Sequence, residues 1–213
     1  MVLGMMTYMK RKILVASTNA GKFAELRAML NADVEWVGLS DIEPIDEIEE
    51  DGATFAENAR KKALGYAEAT GLWALADDSG LVVDALGGEP GVRSARFSGC
   101  KDKDRTLLDY RNMTKVLELL KGVPKDKRTA RFVCCLCLAK ADGVLIETEG
   151  RLEGLICEEE IGSNGFGYDP IFLVPDSNKT VAQLTREEKN TISHRGNALR
   201  KLKPLLAGLL ETL

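Results

Sequence analysis

The sequence predicts a mixed α/β fold, and three observations carry that prediction. Short apolar, strand-like runs alternate with amphipathic helical stretches along the chain. A long apolar run, Thr129 to Lys140, meets Asp142-Gly143, a hairpin signal, and continues as a second strand from Val144 to Glu149. No internal repeat or low-complexity linker interrupts the pattern. The 213 residues amount to one large or two small domains, and such a chain buries about 70% of its unfolded surface without needing a disulfide or metal staple. Hydrophobic residues are 45% and charged residues 29%, a mix that excludes disorder, collagen and coiled coil for the whole chain. One domain over residues 11–213, of two lobes with a cleft between them, fits best.

Taken in order, Ile13 to Ala16 is a buried-type strand that ends in Ser17-Thr18-Asn19-Ala20-Gly21-Lys22. The helix that follows sets Phe23, Leu26, Met29 and Leu30 on one face. Val34 to Leu39 reads as a second strand, and the acidic stretch 41–51 as loop. Thr54 and Glu57 form a capping box for a helix that runs to Thr70 and stops at Gly71. Leu72 to Ala76 is a strand running into Asp77-Asp78-Ser79-Gly80, and Leu81 to Val83 resumes it. Residues 87–91 form a Gly-Pro loop. From Asp102 to Leu120 the spacing is helical, with Leu107, Tyr110, Thr114, Leu117 and Leu120 roughly in register. After the hairpin, residues 162–170 are a glycine-rich loop before a strand at Ile171 to Val174. Thr185 and Glu188 make a second capping box. The last helix, Ser193 to Leu210, carries Leu199, Leu202, Leu206 and Leu209.

Charge and cysteine usage narrow the function classes. With 29 basic against 33 acidic side chains the net charge is −4, without the basic excess by which proteins neutralise nucleic-acid phosphates. A nucleic-acid polymer is therefore a poor partner, while a local basic pocket for a small anion remains open. No apolar run reaches the length of about 20 residues that spans a bilayer. The start, MVLGMMTYMKRK, puts its charge after the apolar stretch, the reverse of a signal peptide. Residues 1–10 read as a ragged tail, with Met5, Met6 and Met9 as alternative starts, and the expected compartment is the cytoplasm. The odd number of cysteines, five, argues against a disulfide framework. Cys134, Cys135 and Cys137 read as small core residues of an apolar strand, and a single histidine, His194, argues against zinc.

Five constellations can carry chemistry. Ser17 to Lys22, between a strand and a helix N-terminus, offers backbone N–H groups, the helix dipole and a full positive charge to an anion. It is not a P-loop, because Ala16 stands at the first glycine position and Phe23 follows the lysine. Asp77-Asp78-Ser79 follows an apolar strand, where α/β proteins gather ligands. Successive side chains of a strand point to opposite sides, so only one of the two carboxylates should face a given ligand, holding Mg²⁺ or taking a proton from water; a turn role is the other reading. The acidic run 46–51 is either a solvated face or a source of a further Mg²⁺ carboxylate. In Gly165-Phe-Gly-Tyr-Asp-Pro170, either an exposed Phe166 stacks on a flat base or the ring tucks into the core. Lys189, His194 and Arg195 either donate to carbonyl oxygens of a ligand or play structural roles. Together these are the parts of a nucleoside triphosphate pocket.

As a set the motifs resemble the Ham1/RdgB family of inosine triphosphate pyrophosphatases. The similar stretches are STNAGKFAEL at 17–26, TFAENARKKA at 54–63, ADDSGLVVDALGGEPGVRSARFSG at 76–99, GFGYDPIF at 165–172 and LTREEKNTISHRGNAL at 184–199. The resemblance runs from about Ile13 into the last helix. It implies an elongated fold with a central mixed sheet and two lobes, a homodimer, and a Mg²⁺-dependent hydrolysis of dITP, ITP or XTP to the monophosphate and pyrophosphate. Carried over by position, Ser17, Thr18, Asn19, Ala20, Gly21 and Lys22 contact the triphosphate. Asp78 is the base and a metal ligand, Ser79 lies beside it in the substrate site, and Glu49, with Glu50 next to it, falls where a second metal carboxylate is expected. Phe166, Gly167, Tyr168, Asp169, Lys189, His194 and Arg195 match the set around the base. A Maf-type pyrophosphatase, with a different base preference, and a non-catalytic nucleotide sensor are the rival readings.

Overall fold

The computed structural model describes residues 10–17, 20–102 and 104–212. Apart from Lys10, the expected N-terminal tail lies outside them. In chain order the elements are β1 (Lys12–Val15), α1 (Ala20–Leu30), β2 (Glu35–Gly38), α2 (Phe55–Thr70), β3 (Trp73–Val83), α3 (Arg105–Leu119), β4 (Thr129–Lys140), β5 (Gly143–Ile156), β6 (Phe172–Val174), β7 (Lys179–Thr180), α4 (Arg186–Ile192) and α5 (His194–Glu211). The strands form one mixed sheet in the order β2-β1-β3-β4-β5-β6-β7. β1 is parallel to β2 and β3, and every later pairing is antiparallel.

The stretch Trp73–Val83 departs from the sequence expectation. It was expected to break at Asp77 and resume at Leu81, yet it is one strand of 11 residues. The reason lies in its partner: β4 offers an unbroken ladder from Ala139, opposite Ala74, to Ala130, opposite Val83. That satisfies one side of the backbone through the polar residues. On the other side β1 pairs only as far as Val15, opposite Leu75. Beyond Leu75, β3 is an edge whose backbone groups are met by side chains as far as Leu81, and at Val83 by the backbone of Gly88 and Glu89. Lys62 Nζ donates to the Asp77 carbonyl at 2.5 Å, Ser79 N–H to Asp78 Oδ1 at 2.9 Å, and Leu81 N–H to Ser94 Oγ at 2.9 Å. Gly80 permits this last approach, because a Cβ there would lie 2.3 Å from Ser94 Oγ.

Three apolar clusters flank the sheet. α1 and α5 bury Leu26, Leu30, Leu199, Leu202 and Leu206 against Ile13, Leu75, Leu136 and Leu138. α2 buries Phe55, Ala59, Ala63 and Ala67 against Leu14, Ala74, Ala76, Cys135 and Cys137. α3, with its C-cap Leu120, packs Met113 and Val116 with Leu81, Val83, Phe132 and Phe172. The expected face of α3 is therefore rotated: Tyr110 is 53% exposed, and the buried stripe runs through Asn112, Met113 and Val116. The helix boundaries follow their caps. Thr54 accepts the Glu57 N–H, and Gly71 closes α2 at φ 69°, a conformation suited to glycine. Thr185 and Glu188 complete a reciprocal capping box on α4. α1 starts at Ala20, ahead of the apolar residues that announce it, and β5 runs on to Ile156, past the expected Glu149. The five cysteines are free, and Cys134, Cys135 and Cys137 are buried core residues of β4. Among the described residues no helix is long and apolar enough to cross a membrane.

Candidate active site

Because β1 stops short, a cleft of about 1150 Å³ wraps around the free edge of β3. Asp77 and Asp78 point to opposite faces of the sheet, as strand geometry requires. Both nevertheless line the cleft, because it reaches the edge from both sides.

Asp77, with Ser79 on the same face, looks toward α1 and α5. Its Oδ2 accepts from Lys22 Nζ at 2.9 Å, from Ser79 Oγ at 3.2 Å and from Arg195 Nη2 at 3.4 Å. Burial alone would raise this carboxyl, but Lys22, Arg195 and Lys62 outweigh it and hold it well below the ordinary carboxylate range. Asp77 is thus a buried anion paired with the cations Lys22 and Arg195.

Asp78 looks toward α2. Asn58 Nδ2 donates to its Oδ2 at 3.0 Å, and the Ser79 N–H holds Oδ1. Burial pushes its carboxyl up to about 6; Asn58 and Lys62 pull it down, Glu50 and Asp77 push it further up. Lys62, largely buried on α2, also pairs with Glu50 at 3.1 Å. Of the two candidate glutamates, Glu50 lines the cleft, whereas Glu49 is exposed and outside the lining. Among the described residues no cluster of three or more His, Cys, Asp or Glu side chains is close enough to cage a metal.

The phosphate-cradle candidates divide. Ser17 and Lys22 line the cleft. Ala20 and Gly21 open α1, and Thr18 and Asn19 lie outside the described residues.

The other end of the cleft is built by the 165–169 loop and the junction of α4 and α5. Phe166 is 53% exposed, so the ring is not tucked into the core. Lys189 Nζ stands over it, 4.7 Å from the ring centre, and donates to the buried Asp169 at 2.5 Å. Asp169 in turn accepts the Phe166 N–H at 2.9 Å, which fixes the loop. Burial raises the Asp169 carboxyl despite Lys189. Gly165 sits at φ 80°, and a Cβ there would fall 2.0 Å from Asp169 Oδ2, so the turn needs glycine. Gly167 N–H donates to Asp109 at 3.1 Å, and the buried Tyr168 hydroxyl donates to the Ser94 carbonyl at 2.8 Å.

His194 stacks on Phe132 with ring centres 5.0 Å apart, and its buried Nδ1 has no hydrogen-bond partner among the described residues. Burial, then Arg195 and Lys189, hold the imidazole well below its ordinary value, so it is neutral. Gly150 lets the start of α5 press on β5: a Cβ there would lie 2.1 Å from the His194 carbonyl.

The structure adds residues that the sequence reading passed over. Asn58, Lys62, Ser94, Arg105 and Asp109 all touch the cleft or its walls. The signal for the first two was present, since Asn58 and Lys62 stand four apart along the apolar stripe of α2. A buried asparagine in such a stripe needs partners, and here they are Asp78 and the Gly52 backbone.

Known proteins are similar across nearly the whole length. A sequence model of the Ham1 family matches residues 13–205. The dITP/XTP pyrophosphatase of Desulforamulus reducens is 50% identical over 196 residues, covering 92% of this chain and 95% of that protein. The dITP/XTP pyrophosphatase of Bacillus subtilis is 48% identical over 199 residues, covering 92% and 97%. The solved Ham1 protein of Coxiella burnetii superposes with a TM-score of 0.85 at 41% identity, over 93% of this chain and 99% of that one. The Staphylococcus aureus Ham1 protein gives a TM-score of 0.84 at 40% identity, with the same coverage. On the extent of that match and the likeness of fold, the chain belongs to the Ham1 family.

Proposed function

We propose that this protein hydrolyses aberrant purine nucleoside triphosphates, dITP, ITP and XTP, to the monophosphate and pyrophosphate, and so clears them from the nucleotide pool. The observation that carries the reading is the cleft around the β3 edge. It is lined by the cations Lys22 and Arg195, by an exposed aromatic ring with a lysine over it, and by the raised carboxyl of Asp78 on the β3 edge. The relatives named dITP/XTP pyrophosphatase support it, being about half identical over more than nine-tenths of this chain.

In this reading Ser17, Thr18, Asn19, Ala20, Gly21 and Lys22 bind the triphosphate, through the N-terminus of α1 and the lysine charge. Asp78 orients a water molecule and takes its proton as the oxygen attacks the α-phosphorus in line; the bond to the bridging oxygen breaks and pyrophosphate leaves. The strong negative charge of Asp77 keeps Lys22 and Arg195 directed at the site, next to Ser79.

Mg²⁺ fits this donor set. It takes oxygen ligands and needs only one or two protein carboxylates beside substrate phosphates and water, which suits a site where the described residues form no cage of three or more His, Cys, Asp or Glu. Asp78 and the acidic segment carrying Glu49 and Glu50 would hold it. When bound it supplies charge neutralisation for the polyphosphate and the leaving group.

At the far end, Phe166 stacks on the purine, with Gly167, Tyr168 and Asp169 shaping the loop. Lys189 and His194, with Arg195 behind them, donate toward the 6-oxygen of hypoxanthine or xanthine. Adenine presents an amino group there and would leave those donors unmatched, a discrimination of roughly 10⁴ or more. We further propose a homodimer acting in the cytoplasm. The family resemblance supports the first, and the free cysteines suit a reducing compartment.

The test is pyrophosphate release over a panel of ITP, dITP, XTP, GTP, ATP and pyrimidine triphosphates, with and without Mg²⁺. The expected result is Mg²⁺-dependent pyrophosphate from the first three. Equal kcat/KM for ATP, or release of orthophosphate only, contradicts the reading.

A further inference from the structure

Asn58 is a buried amide, 1% exposed, in the apolar stripe of α2, and both ends of it are committed. Its Oδ1 accepts the Gly52 N–H at 2.7 Å, and its Nδ2 donates to Asp78 Oδ2 at 3.0 Å. Gly52 directly follows the acidic segment, so one side chain ties the end of that segment to the carboxylate on β3. The approach is close: a Cβ on Gly52 would lie 2.7 Å from Asn58 Oδ1 and 2.9 Å from Glu57 Cβ. The amide also has a defined sense, because only the NH₂ end can satisfy a carboxylate and only the oxygen can accept from a backbone N–H.

We infer that Asn58 is a positioning residue for the hydrolysis: the Gly52–Asn58–Asp78 chain of hydrogen bonds fixes the rotation of the Asp78 carboxylate and its register with the acidic segment. The inference rests on the role given to Asp78 above. With Asn58 holding Oδ2 and the Ser79 N–H holding Oδ1, the carboxylate has two anchors and one orientation. Loss of the α2 anchor lets it rotate, and misplacement of a reacting group by about 1 Å costs on the order of 10²-fold in rate.

Two variants test this. Asn58→Leu keeps the volume and removes both hydrogen bonds. Gly52→Ala keeps Asn58 but pushes its amide aside. With wild type, both single variants and the double variant folded by circular dichroism, kcat and KM for ITP are measured at saturating Mg²⁺. Each single variant is expected to lose about 10- to 100-fold in kcat with KM within about twofold, and the double variant to be no worse than the worse single one. Should Asn58→Leu not fold, Gly52→Ala alone carries the kcat test. Unchanged kcat, a rise in KM at constant kcat, or losses that multiply in the double variant overturns the inference. Wild-type protein that releases no pyrophosphate from ITP fails the functional reading and takes the inference with it. An active wild type with unaffected variants sinks the inference alone.

Discussion

Replacing Asp78 with asparagine should cripple turnover and stabilise the metal-free protein at the same time. Burial holds the Asp78 carboxyl at about 6 against an ordinary value of 3.8. The folded state therefore binds more protons than the unfolded chain between those values, and stability falls as pH rises through that window. The difference of about 2 pKa units corresponds to about 3 kcal/mol of cost once the group is ionised. Asparagine escapes the cost but accepts less strongly from Asn58 and Ser79, so the net gain should be about 2 kcal/mol, or about 4–8 °C in melting temperature for a chain of this size. The assay is thermal melting in a chelator near pH 7.5 and again near pH 4. The variant should melt higher at the first pH and level with wild type at the second. Adding Mg²⁺ should raise the melting temperature of wild type and leave the variant unmoved. Pyrophosphate release by the variant should fall by about 10² to 10⁴. A variant that melts at or below wild type in chelator near pH 7.5, or that turns over ITP at the wild-type rate, refutes the reasoning.

Three further outcomes follow from the packing. Asp77→Ala removes a buried carboxylate facing Lys22 and Arg195, and should cost about 3–5 kcal/mol at neutral pH, measured by denaturant unfolding. Because that carboxyl sits below its ordinary value when folded, the stabilisation is present above about pH 4 and fades as pH falls through the folded value, so wild type and variant converge in acid. Phe166→Ala removes the exposed ring beside Lys189 and should raise KM for ITP by about 10-fold, about 1.4 kcal/mol, with little change in melting temperature. Gly150→Ala drives a methyl group into the backbone of α5 at His194 and Ala198, and should destabilise by at least about 1–3 kcal/mol, read as a lower melting temperature.

Much of the fold was legible because the sequence spells out its own boundaries. Thr54, Gly71, Thr185 and Asp142-Gly143 are local signals with local consequences, and the helices and hairpin they predict form where expected. The continuity of β3 was not legible. Asp-Asp-Ser-Gly reads as a turn until β4 is alongside to pair with it, and that pairing joins residues more than 50 positions apart. The face of α3 was misread for a similar reason: Asn112 is buried because Ser98 N–H and the Ala95 carbonyl satisfy its amide, contacts no helical period announces.

In the site, residue types were enough to bring out the Asp77-Asp78 pair, Lys22, Phe166 and Lys189 as candidates, while the choice of Asp78 came from the family resemblance. The division of labour between the two aspartates was not legible. It depends on where β1 ends, which leaves Asp77 buried among cations and Asp78, less deeply buried, beside Asn58, Lys62 and Glu50. The choice between Glu49 and Glu50 likewise turns on the path of a loop, and only Glu50 reaches the lining.

The central claim is that a water molecule held at Asp78 attacks the α-phosphorus. Hydrolysis of ITP in oxygen-18 water, followed by phosphorus NMR of the products, tests it most directly. The account predicts the label in the monophosphate and none in pyrophosphate; label in the pyrophosphate contradicts it.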